Sequence, residues 1–109
     1  MAGNARITNS PAQARSANGT THVQRTISSS AVDLINFTPS AECTHFFVQF
    51  NDATARVTFD GATDPTASLG FVYVDSSSAF FLKDIGLKAK AIRAGSTDVV
   101  AEIQEINSY

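Results

Sequence analysis

From Ala31 onward the chain alternates apolar and polar residues in short runs, and turn-forming residues separate those runs. Runs of this length and period read as strands. The clearest is His45–Phe50 (HFFVQF), in which Phe46, Val48 and Phe50 share one face and Phe47 and Gln49 the other. Ala55–Phe59 (ARVTF) sets Ala55, Val57 and Phe59 against Arg56 and Thr58, the pattern of a sheet with one wet face. Phe71–Val74 (FVYV) and Ala79–Lys83 (AFFLK) are shorter strands, and Ala31–Thr38 and Leu87–Ala94 alternate more loosely. Pro39-Ser40, Asn51-Asp52, Asp60-Gly61, Ser76-Ser77-Ser78 and Gly95-Ser96 mark turns, and Ala62–Gly70, interrupted by Pro65, marks a loop.

Asp98–Ile106 (DVVAEIQEI) fits two periods. Thr97 is placed to cap a helix carrying Val99, Val100, Ile103 and Ile106, while Val99, Ala101 and Ile103 also alternate as in a strand. Context favours the strand, because about seven or eight short strands in succession describe a sandwich or barrel. No helix is expected elsewhere. The expected fold class is all-β: a small antiparallel β-sandwich or jelly-roll-like barrel, as one domain over residues 31–109. Its core is expected from Phe46, Val48, Phe50, Val57, Phe59, Phe71, Tyr73, Phe81 and Leu82, with Ile92 and Ile103.

Residues 1–30 differ in composition. They are rich in Ala, Ser, Thr, Asn and Gly, and their sizeable aliphatics are Met1, Ile7, Val23 and Ile27. So little apolar surface does not offset a backbone ordering cost of roughly 1–2 kcal/mol per residue. The segment reads as an extended or flexible N-terminal arm: an unstructured tail, an arm that orders on a partner, or, in part, an edge strand around His22–Ile27. Charge divides at the same place. Arg6, Arg15 and Arg25 give the arm +3, whereas residues 31–109 hold five bases and ten acids. A mildly acidic body disfavours nucleic acid as a partner. No apolar run reaches the ~18 residues of a membrane-spanning helix, so no membrane partner is expected.

Candidate chemistry is sparse. The histidines are His22, in the polar arm, and His45, two residues after the single cysteine, Cys43. A lone cysteine beside a turn is ordinarily a small buried apolar residue. Asp52, Asp60, Asp64, Asp75 and Asp84 fall in or beside turns, where aspartate bonds nearby amides, and no loop has calcium-binding spacing. The expectation is therefore a chain with no catalytic residue, metal site or cofactor. What the pattern leaves over is apolar. Phe47, Val72 and Phe80 point away from the face that forms the core, and strands apolar on both faces need cover on both. That cover comes from another chain or from the N-terminal arm, so Phe47, Val72 and Phe80 are candidate partner-binding residues, with Arg6, Arg15 and Arg25 as candidate electrostatic contacts of the arm.

Two segments resemble a known group. Ala55–Tyr73 (ARVTFDGATDPTASLGFVY) and Lys90–Ser96 (KAIRAGS) resemble small virion proteins of tailed bacteriophages, in which an RVTFDG-like strand leads to a PTAS-x-G loop and an AIRA segment closes the domain. The resemblance covers roughly residues 45–103, and its motifs mark turns and core. It implies a small β-sandwich virion structural protein of the capsid decoration or cement type, made in the host cytoplasm and placed on the capsid surface. The implied partners are the major capsid protein and further copies of the chain, as dimer or trimer. The alternative is a tail, neck or fibre-associated phage structural protein, or a small receptor- or carbohydrate-binding module.

Overall fold

The computed structural model describes residues 21–107. Eight strands and one short helix follow one another: β1 (His22–Ile27), β2 (Val32–Asp33), β3 (His45–Asn51), β4 (Ala55–Thr58), β5 (Phe71–Tyr73), β6 (Ser77–Leu82), α1 (Lys83–Lys88), β7 (Lys90–Arg93) and β8 (Val99–Ile106). They form two four-stranded sheets, ordered β1-β8-β3-β6 and β2-β7-β4-β5. The pairs β1 with β8, β2 with β7, β3 with β6 and β4 with β5 are all antiparallel, as are β3 with β8 and β4 with β7 within the sheets. First pairs with last, second with second-last, and so inward. That is a long hairpin rolled into two layers, the jelly-roll arrangement.

The core lies between the layers and follows the period-2 pattern. Phe46, Val48 and Phe50 of β3 and Val99, Ala101 and Ile103 of β8 are buried on the inner face of the first sheet, with Ile27 of β1. The second sheet opposes them with smaller side chains, Ala55, Val57 and Ala91. Bulk on one layer set against small residues at the centre of the other is the complementarity that close packing needs, and Tyr73 of β5 stacks on Phe50 at 4.8 Å. The ambiguous C-terminal segment is a strand because β1 and β3 pair with it on both sides. The turn after β3 is at Asp52, with φ 78°, as the Asn51-Asp52 pair predicts.

Several expectations need correction. Residues 83–88 form a helix, where the sequence reads the end of one strand and the start of another. β6 lies at the border of one sheet and β7 in the other, so the chain must cross the open end of the sandwich here, and α1 spans it. Asp84 in its first turn and Lys88 in its last suit the helix dipole. The turn before β6 is made by Asp75 and Ser76, the latter at φ 70°, and closed by the Ser77 amide on the Val74 carbonyl at 3.0 Å, so Ser77 and Ser78 belong to the strand. Of Ala31–Thr38, Val32–Asp33 is strand, and Leu34 and Ile35 are buried in the connection that follows. Phe71 and Leu82, expected in the core, are exposed, and Ile92 is half-buried on an outer face. Phe71 sits on the inner face of a border strand with no strand beyond it among the described residues, and Leu82 has the outward parity of Phe80. β1 lies within the segment read as an arm, and its edge pairing is the third option given there.

Candidate interaction surface

Among the described residues the strand order leaves four borders: β1 and β6 on one sheet, β2 and β5 on the other. β5 passes to β6 through Val74, Asp75 and Ser76, so the border of one sheet runs directly into the border of the other. This side of the sandwich is apolar. Among the described residues, every exposed large apolar side chain except Phe47 falls between Leu69 and Leu87. Phe71 is 67% exposed and Leu82 56%, with Val72, Val74, Ile85 and Leu87 alongside. At about 150–250 Å² per aromatic side chain, the exposed parts of Phe47, Phe71 and Phe80 alone amount to roughly 300 Å². Leu69, Val72, Val74, Leu82, Ile85 and Leu87 add further exposed apolar surface.

The register explains the centre of this surface. The Lys83 amide donates to the Thr44 carbonyl at 2.9 Å, which makes Thr44 and Lys83 a hydrogen-bonded pair of the β3–β6 ladder. Phe47 and Phe80, three steps along, are therefore a non-hydrogen-bonded pair, whose side chains approach more closely. Their ring centroids are 5.1 Å apart, and His45 meets Phe80 edge-on at 6.2 Å. Val72 is 51% exposed on the outer face of the other sheet, opposite Arg56 in the register. Phe47 and Phe80 thus lie together on the outer face of one layer, and Val72 lies on the outer face of the other. Arg25 is half-buried, and its Nε donates to the Asp33 carbonyl at 3.1 Å, tying β1 to β2. Arg6 and Arg15 lie outside the described residues. Sequence reasoning missed Leu69, Phe71 and Leu82. Leu82 was legible, because neighbours on a strand cannot share a face, so Phe81 and Leu82 cannot both be core.

Between β4 and β5 the chain forms an open groove of about 580 Å³ lined by Phe59, Phe71 and Leu69, with Thr58, Asp60 and Thr63 at its polar rim. Asp60 organises that rim. It accepts from the Thr63 hydroxyl at 2.6 Å and from the Thr63 and Ala62 amides at 2.7 and 2.9 Å. These donors hold its carboxyl down at about 2. Gly70 closes the loop at φ 128°, and Arg56 Nη1 donates to its carbonyl at 2.9 Å.

The opposite side is polar. On β1 and β8, His22 bonds Glu102 at 2.7 Å and Gln104 at 3.1 Å, and Gln24 donates to Glu102 at 2.6 Å. The bond to Glu102 and then that to Gln104 raise the His22 pKa, while His22 and Gln24 lower that of Glu102. Cys43 is buried, its thiol donates to the His45 carbonyl rather than to the ring, and burial raises its pKa. No thiolate–imidazole pair exists there. Buried Glu105 accepts from the Ser40 amide at 2.9 Å and anchors the connection before β3. Among the described residues no group of His, Cys, Asp and Glu is arranged to hold a metal ion. Comparison of the chain with family models, with curated proteins and with solved structures gives no match.

Proposed function

We propose that this chain is a structural virion protein of the capsid decoration type, which binds the major capsid protein and stabilises the shell. The observation that carries the reading is the run of exposed large apolar side chains from Leu69 to Leu87, which have no cover among the described residues. Such a surface suits a protein that works by being buried against neighbours. Two further observations support it. Jelly rolls build many viral capsid domains, although they also build lectins and cupins, so fold alone does not decide. The segment that resembles phage virion proteins, residues 55–73, forms β4, the Asp60 loop and β5, and so builds one border of this side. Copies on a lattice add their contacts through avidity.

The test is location and copy number in purified particles that contain the chain, by quantitative mass spectrometry and electron microscopy. Hundreds of copies over the shell are expected. A dozen or fewer at the neck or tail, or none in the particle, overturns the reading. Deleting residues 1–20 tests the arm, with Arg6 and Arg15. β1 has to be retained, because it is part of the first sheet. Weaker shell binding by this variant is expected if the arm contributes.

A further inference from the structure

We propose that β6 is the edge through which two copies of this chain join, β6 to β6 in antiparallel register across a two-fold axis at Phe80. The inference deepens the assembly reading, and rests on it only for the apolar side.

The four borders are protected to very different degrees. β1 presents His22, Gln24 and Thr26 outward and carries Arg25. β2 is two residues long and includes Asp33, and β5 is three residues long and directly follows Gly70 with its positive φ. β6 runs for six residues, Ser77–Leu82 (SSAFFL), with no charge, proline or glycine. Charge, brevity and kinks keep a border from pairing with another chain, and β6 has none of them.

Its geometry is self-complementary. Because Thr44 and Lys83 are a hydrogen-bonded pair, Phe81 and Ala79 also turn their main-chain groups towards β3. Ser78, Phe80 and Leu82 therefore turn theirs to the free border, and the same three residues carry their side chains on the outer face. With the axis at Phe80, Phe80 faces its own copy, and Ser78, the small residue, faces Leu82, the large one. Phe47, beside each Phe80, extends the contact into a cluster of four rings. The strand is flanked by Asp75 on one side and Lys83 on the other, neither in an ion pair among the described residues. Antiparallel joining brings Lys83 of each copy to the Asp75 end of the other. A two-fold contact of this kind closes on itself and gives a dimer rather than a filament.

The test uses the purified full chain without any shell, so its outcome is separate from that of the virion reading. Sedimentation equilibrium of the wild type is expected to show a dimer. Phe80→Lys and Phe80→Glu each put like charges on the axis, and each alone is expected to dissociate at least tenfold more readily. An equal mixture of the two is expected to restore the dimer, because opposite charges then meet. Hydrogen exchange needs no variant: the amides of Ser78, Phe80 and Leu82 are expected to exchange more slowly at concentrations where the dimer forms. A wild type that stays monomeric, a dimer unaffected by Phe80→Lys, or a mixture that stays monomeric overturns the proposal. A dimer lost on deleting residues 1–20 but kept in Phe80→Lys also overturns it, in favour of an exchanged arm.

Discussion

Single residues in this fold are constrained mainly by what their backbone must do. At Gly70, with φ 128°, an added Cβ lies 3.0 Å from the Val57 nitrogen and 3.2 Å from its oxygen. Those atoms belong to β4 and cannot give way without opening the β4–β5 ladder. Gly86 is tight for another reason: its Cβ would lie 2.5 Å from the ring of buried Phe46. Gly95 has nothing within 4 Å. Gly70→Ala and Gly86→Ala are each expected to cost about 1–3 kcal/mol in denaturant unfolding. Gly95→Ala is expected to stay within about 0.5 kcal/mol. The three differ by one methyl group each, so the contrast separates backbone strain and crowding from composition.

At the scale of elements, β6 gives the cleanest contrast between faces. Phe81 is buried against Phe59 and Tyr73, whereas Phe80 lies on the outer face. Phe81→Ala is expected to destabilise by about 3–5 kcal/mol. Phe80→Ala is expected to cost no more than about 1 kcal/mol of monomer stability, read by thermal or denaturant unfolding at low protein concentration. The β1–β8 pairing carries a pH signature. His22 has a folded pKa above its ordinary 6.5, so its contribution is complete below that pH and is lost as pH rises through the raised value. Glu102 has a folded pKa below its ordinary 4.5, so its contribution is present above 4.5 and is lost as pH falls through the lowered value. The pair therefore supports the sheet most between those limits. Glu102→Gln is expected to bring the NMR-titrated pKa of His22 down towards 6.5 and to reduce the melting temperature most at about pH 5.5. Both groups are exposed, so the shift in melting temperature is small and its sign is the test. β3 and β4, with a clean two-residue period, were legible in the sequence, whereas β8 was read from context because its period also fits a helix. α1 was not, because Leu87, Ala89 and Ala91 alternate with lysines as in a strand. What makes residues 83–88 helical is the need to cross between layers and the fit of Gly86 against Phe46, both long-range facts.

For the whole molecule, the informative property is the difference between its two long sides. One carries charge and hydrogen bonds over β1 and β2, and the other carries apolar surface over β5 and β6. The sequence showed that Phe47, Val72 and Phe80 needed cover. It did not show that Leu69, Phe71 and Leu82 join them, because border position depends on strand order, which period alone does not fix. The same order places His22 directly opposite Gln104, at the border three strands away from β6. At roughly 4.8 Å per strand this is a separation of about 14 Å within the sheet. Cargo fused ahead of β1 or after β8 leaves from one corner, on the flank remote from the surface that neighbours would cover. A payload joined at that corner is therefore expected to leave the β5–β6 side free, and sedimentation of the tagged chain checks this.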